Sequence, residues 1–204
     1  MKYLVAIPCM DTMPTQFVKS LIGLRVEGTI EIAFSANSLV YDSRNLLSKK
    51  ASEEGFDRIL WLDSDVTFKP DMFERLSKRL DEGYQFVSGL YVKRKTPIEP
   101  TIFKTVYMMD DKLPKADCYF DYPEGIFEIA ACGFGAVMMD ICVLNSVGME
   151  FGLPFSPILG FSEDISFCMR AKQVGYKLYC DSTIKLGHIG YKEFTEDDFE
   201  RSKS

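Results

Sequence analysis

Short apolar stretches and longer helical stripes take turns along the first ninety residues. Residues 3–7 form an apolar run closed by Pro8, the pattern of a buried strand. Phe17, Val18, Leu21 and Ile22 then recur at helical spacing over 14–24, and Gly28 precedes a second strand at 29–34. Residues 38–54 predict a helix with Leu46, Leu47 and Ala51 on one stripe and Gly55 as a left-handed C-cap. Ile59, Leu60, Trp61 and Leu62 follow without a polar break, which fits a strand covered on both faces. Pro70 sits in the first turn of a further helix, where Met72, Phe73, Leu76 and Leu80 share a face that Gly83 closes. Residues 85–92 read as another strand.

This alternation predicts a mostly parallel sheet with helices on both faces. Beyond residue 95 the pattern changes. Strands at 101–109, 126–132 and 135–139 follow one another without helices, so the second half is expected to be antiparallel or mixed. A helix at 163–174 ends at Gly175, with short strands at 177–179 and 183–186. The expectation is one α/β domain over 1–190, in two halves that meet near residue 95. A charged tail, 191–204, is expected to be partly disordered.

Composition narrows the class. A chain of 204 residues with 47% hydrophobic content can bury one good core. Its net charge of -6 and pI near 5.0 give no electrostatic reason to expect nucleic acid or an anionic membrane as partner. No apolar run approaches the length of a bilayer span. The opening MKYLVAIPCM lacks the apolar core and cleavage site of a signal peptide. Six scattered cysteines with no C-x-x-C, several inside apolar runs, predict reduced thiols in a cytoplasmic protein.

The chemistry gathers where the apolar run ends, in Asp63, Ser64 and Asp65. Two carboxylates one residue apart at the carboxyl end of a buried strand are costly to desolvate without a positive partner. That end is also where open α/β sheets bind ligands. Mg²⁺ or Mn²⁺ holding a phosphate-bearing ligand suits such oxygens. A turn cap at Asp63 beside a solvated Asp65 explains the same residues. His188, the sole histidine, reads as a ligand or as a core ring with its bonds satisfied. Glu163 and Asp164 open a helix with Ser162 as N-cap, so capping alone accounts for both. Gly133 and Gly135, in Cys132-Gly133-Phe134-Gly135, permit a close backbone approach or a bulge.

In order, LVAIP, SRNLLSKKA, LWLDSD with KPD, GLYVKR, ACGFGAVMM, FSEDISFCMRAKQVGYKLY and KLGHIG resemble the GT-A glycosyltransferases. The likeness is to small family-2-like enzymes found in phages and bacteria, over about residues 3–190. It implies a GT-A fold: an α/β, Rossmann-like nucleotide-binding half (about 1–95) and an acceptor and metal half (about 96–190) on a mixed central sheet with helices on both faces. It implies metal-dependent transfer, with inversion, from a nucleotide-diphosphate sugar to a hydroxyl acceptor. The donor expected first is a UDP-sugar, and the acceptor a glycan, a lipid-linked sugar or a protein.

By the same resemblance Pro8, Cys9 and Met10 line the base pocket and Arg44 reaches the nucleotide. Asp63 and Ser64 lie by the ribose and the metal, and Asp63, Asp65 and His188 hold Mn²⁺ or Mg²⁺, which neutralises the departing diphosphate. Asp164 takes the acceptor proton and Glu163 orients the acceptor. Lys93 and Arg94 meet phosphate or form a solvated basic pair. The Q/R-x-x-R-W motif of processive synthases is absent. Residues 97–123 and 149–159, where an acceptor would be chosen, match no pattern.

LWLDSDVT also fits the D-x-D-x-T motif of haloacid-dehalogenase-type phosphatases, with Asp63 as nucleophile, FVSG as the strand-end serine and VYMMDD as a second acidic pair. Two strands precede the motif here, whereas that fold begins with it, and GFSED and LGHIG are left without work. A non-catalytic GT-A-like binding module has no need of Asp63, Asp65, Asp164 and His188 together. Nucleotidyl transfer calls for a basic Gly-rich loop that IPCMDTMP does not offer.

Overall fold

The computed structural model describes residues 1–36, 38–109, 114–190 and 193–202. Strand β1 (Lys2–Cys9) leads through helix α1 (Thr15–Ile22) to β2 (Thr29–Ala36), then through α2 (Val40–Glu53) to β3 (Arg58–Leu62). The short β4 (Val66–Thr67), α3 (Met72–Asp81) and β5 (Phe86–Leu90) complete the first half. Next come β6 (Ile102–Met108), β7 (Pro114–Cys118), β8 (Ile126–Ile129), β9 (Ala131–Cys132) and β10 (Ala136–Asp140). Helices α4 (Ile141–Phe151) and α5 (Glu163–Gln173) precede β11 (Leu178–Lys185), β12 (Gly187–Ile189), β13 (Glu193–Phe194) and α6 (Glu196–Ser202).

Seven strands form the central sheet in the order β2-β1-β3-β10-β5-β11-β8. The β1–β2, β1–β3 and β5–β11 pairs are parallel, while β10 runs antiparallel to both β3 and β5, and β8 antiparallel to β11. The expected parallel first half and mixed second half are both present. Two small sheets, β13-β12-β4 and β7-β6-β9, flank it.

The unbroken apolar character of β3 has a direct cause. Ile59 and Trp61 enter one core with Leu4, Ala6, Val137 and Met139, while Leu60 and Leu62 enter the other with Val5, Ile7 and Met138. Every residue of β3 is buried. Gly55, Gly83 and Gly175, placed by periodicity just past helix ends, take φ of 67°, 99° and 94°.

Three features differ from the expectation. Helix α4, absent from the sequence reading, buries Val143, Leu144 and Val147, but it has no acidic residue in its first turn and its apolar residues run nearly all round. Strand β11 is continuous because its polar centre is satisfied internally: Arg79 Nε bonds Asp181 Oδ2 at 2.8 Å and the Ser182 hydroxyl donates to the Pro123 carbonyl at 2.9 Å. The stretch 126–132 divides between β8 in the central sheet and β9 against β6. Within the charged tail the described residues carry α6, with Phe199 buried, while Tyr191, Lys192, Lys203 and Ser204 lie outside the described residues.

Candidate functional site

The carboxyl ends of β1 and β3 open into a cleft of about 290 Å³, at the lower end of the roughly 300–1,000 Å³ of small-ligand sites. Pro8, Cys9 and Met10 end β1 on one wall, and Ser38, Val40, Ser43 and Arg44 bring in the start of α2. Asp63, Ser64 and Asp65 form the floor after β3, Glu163 and Asp164 enter from the start of α5, and Arg94 and His188 complete it. Of the residues assigned by resemblance, Lys93 and the Cys132-Gly133-Phe134-Gly135 turn, expected near donor sugar and acceptor, do not line the cleft. Lys93 Nζ bonds Glu99 Oε2 at 2.6 Å and lies 3.6 Å from Cys118 Sγ. Arg94 holds the basic position in the cleft.

Pairing of β12 with β4 sets His188 opposite Val66, the residue after Asp65. His188 Nδ1 lies 2.8 Å from the Val92 carbonyl, which can only accept, so Nδ1 carries the proton and donates it. Nε2 is then the nitrogen free to change partner, and it stands 3.7 Å from Asp65 Oδ2. Burial alone would raise the Asp65 carboxyl, but His188 and Arg94 outweigh it and hold it below the usual aspartate value. A carbonyl that fixes the far ring nitrogen is the usual support of a metal-binding histidine. One carboxylate and one imidazole fit a divalent ion whose remaining ligands come from substrate phosphates. Among the described residues no group of three or more His, Cys, Asp or Glu is placed to hold an ion without such help.

Asp63, in the same cleft, is paired with a buried cation. Arg44, buried on α2, gives Nη2 to Asp63 Oδ1 at 2.6 Å and Nε to Glu163 Oε1 at 3.2 Å. Its guanidinium lies over the rings of Phe134, Trp61 and Phe155, 5.1, 5.5 and 5.8 Å from their centroids. Burial would lower the guanidinium, yet Asp63 and Glu163 raise it, and burial in turn pushes the Asp63 carboxyl up against the pull of Arg44. Both hydrogen-bonded acceptors of Arg44 are therefore carboxylates that line the cleft, while its Nη1 is buried without a hydrogen-bond partner.

A nucleophilic Asp63 would have to leave this ion pair. The FVSG serine of the phosphatase reading, Ser88, is fully buried and donates to the Tyr179 carbonyl at 3.4 Å. The acidic pair of VYMMDD, Asp110 and Asp111, lies outside the described residues.

Asp164 occupies the first turn of α5. Ser162 is the N-cap by position, yet its hydroxyl donates to Asp164 Oδ1 instead of accepting a backbone N–H, and the same oxygen accepts Ile165 N–H at 2.7 Å. Burial and the neighbouring charge of Glu163 push the Asp164 carboxyl up to about 6. A base poised there is largely ionised at neutral pH and still holds a proton firmly.

The glycines of the CGFG turn are required by Tyr91, which sequence reasoning did not single out. A Cβ at Gly133 would meet the Tyr91 hydroxyl at 2.1 Å, and one at Gly135 would meet its ring at 2.8 Å. Gly135 N–H donates to that hydroxyl at 3.2 Å, and the ring stands edge-on to His188 with centroids 5.2 Å apart. The close approach is thus to a buried tyrosine that backs the histidine. Gly133→Ala should destabilise the protein by about 1–3 kcal/mol through overpacking, and a denaturant midpoint equal to wild type would contradict this. Ser38, Val40 and Ser43 were also missed, since a polar stretch after a strand gives no signal of its own.

Neither protein-family models nor curated proteins give a match to the chain. Among solved structures it is similar to A197 from STIV, with a TM-score of 0.67 and 19% identity, covering 93% of this chain and 86% of that one. It is also similar to GalNAc-T7, in a structure with UDP, GalNAc and Mn²⁺, with a TM-score of 0.65 and 11% identity over 98% of this chain. The match spans 47% of the GalNAc-T7 chain. At these identities what is shared is the fold, a Rossmann-like mixed sheet of the glycosyltransferase kind.

Proposed function

We propose that this chain is a metal-dependent glycosyltransferase that moves a sugar from a nucleotide-diphosphate sugar to a hydroxyl acceptor with inversion. The observation that carries the reading is one cleft in which Asp65 and His188 Nε2 stand 3.7 Å apart while Asp164, raised to about 6, enters from the opposite element. Pro8, Cys9 and Met10 give the nucleoside an apolar wall, with Ser38 and Ser43 as polar contacts beside it. Asp65 and His188 would hold Mn²⁺ or Mg²⁺, which when bound neutralises charge on the departing diphosphate. Asp164 takes the proton of the acceptor hydroxyl as that oxygen attacks the sugar. Glu163, held by Arg44, keeps the first turn of α5 in place. The fold shared with GalNAc-T7, crystallised with UDP and Mn²⁺, makes those two the first probes. No helix among the described residues is long and apolar enough to cross a membrane.

Calorimetry with UDP, GDP, CDP and dTDP, each with and without Mn²⁺, tests the reading. One diphosphate is expected to bind tightly only with metal, and Asp65→Ala to abolish that binding. Failure of all four, with Mg²⁺-dependent cleavage of a phosphomonoester instead, would replace it by the phosphatase.

A further inference from the structure

Arg94 follows β5 and spans the two elements that supply the metal-binding pair. Its Nη1 donates to Asp65 Oδ2 at 2.5 Å and to the Ile189 carbonyl, next to His188, at 2.8 Å. The bonded Asp65 oxygen is the one that faces His188 Nε2. A guanidinium therefore sits on the oxygen where a divalent cation would bind, and the two cannot share it at full strength. The side chain is also free to leave. It is 48% exposed and flanked by two cavities, the cleft and a second one bounded by Pro14, Ile189 and Gly190, with Arg94 and Asp65 lining both. A planar guanidinium released from a carboxylate is well matched to phosphate oxygens, which it can grip in a bidentate manner.

We infer that Arg94 is an exchange residue: it holds Asp65 while the cleft is empty and gives it up to a divalent cation only when a nucleoside diphosphate is present to take the guanidinium. The inference rests on the glycosyltransferase reading and adds to it a rule of entry. A bare cation must displace Arg94 without compensation, whereas a cation arriving with a diphosphate gives Arg94 a new acceptor. Metal and diphosphate are then coupled positively, and by reciprocity each strengthens the other to the same degree.

The test measures Mn²⁺ binding, by titration of its electron paramagnetic resonance signal, to the protein alone and at saturating UDP. Wild type, Arg94→Gln, Arg94→Lys and Lys95→Gln are compared. Lys95 is an exposed neighbour that lines neither cavity, so its variant removes a nearby positive charge and no contact to Asp65. Arg94→Gln should bind Mn²⁺ alone roughly tenfold more tightly than wild type and lose most of the enhancement by UDP. Arg94→Lys should fall between the two, and Lys95→Gln should match wild type.

Equal Mn²⁺ affinity in wild type and Arg94→Gln, with the UDP enhancement intact, would overturn the exchange while leaving the glycosyltransferase reading standing. An equal gain in Lys95→Gln would reduce Arg94 to general charge and overturn it too. Absence of Mn²⁺ and UDP binding in all four proteins would overturn both.

Discussion

Asp164→Asn is expected to slow sugar transfer by roughly 10²–10⁴-fold, the usual contribution of a positioned general base. Metal-dependent diphosphate binding should remain, because Asp65 and His188 are untouched. The wild-type rate should rise with pH through about 6, where Asp164 loses its proton, and the residual rate of the variant should lack that limb.

The same substitution carries a stability signature of fixed sign. The folded carboxyl sits at about 6 against an ordinary value of 3.8, so the folded state binds more protons between those values. The stability this lends is fully present below pH 4 and is lost as pH rises through 6. At pH 7 the ionised side chain therefore costs on the order of 3 kcal/mol, a cost that Asp164→Asn removes. The variant should be the more stable protein at pH 7, with the gap closing towards pH 4. Transfer at the wild-type rate would remove Asp164 from the mechanism. Lower stability of the variant at pH 7 would mean that the carboxylate acts mainly as a cap for Ser162 and Ile165.

Arg44→Met should be the most damaging single change to the fold near the cleft. Methionine can occupy the aromatic bed of Trp61, Phe134 and Phe155, but it leaves Asp63 and Glu163 facing each other without a cation. Removing one partner of a buried pair typically costs about 3–5 kcal/mol, and the lower end applies here because both carboxylates keep some solvent contact. Urea denaturation at pH 7 and pH 5 measures it. The loss should shrink at the lower pH, where a proton can replace the missing charge on Asp63, whose carboxyl burial has already raised. A loss below about 1 kcal/mol, the level of an exposed pair, would show that cleft water satisfies both groups.

Much of this was legible in the residues. β3 had to be covered on both faces because no polar residue interrupts Ile59 to Leu62, and the ends of α2, α3 and α5 were marked by glycines that take positive φ. The grouping of Asp63, Asp65, Glu163, Asp164 and His188 followed from the order of motifs. What the pattern could not convey was which partner each charge takes. Arg44 read as a ligand-facing cation, and the pattern gave no sign that it also pairs with Asp63 and Glu163 at the edge of the cleft. Lys93 and Arg94 were indistinguishable as neighbours, and only the pairing of Lys93 with Glu99, six residues on, divides them. Helix α4 escaped because its apolar residues form no clear stripe and no acidic residue lies within its first turn. Tyr91 escaped because a buried tyrosine looks like any other core aromatic until the glycines that make room for it are seen beside it.

The position of β10 between β3 and β5 governs how the molecule comes into being on the ribosome. When the first ninety residues have emerged, β3 has β1 on one edge and nothing on the other, and β5 has no neighbour at all. The Asp63 N–H waits for the Gly135 carbonyl, and the Asp65 carbonyl waits for Ile189 N–H. The loop from Asp63 to Asp65 is therefore completed only by Gly135 and Ile189, far along the chain from it. A nascent chain stalled before residue 189 lacks the completed cleft, and a fragment ending near residue 95 presents open sheet edges to its neighbours.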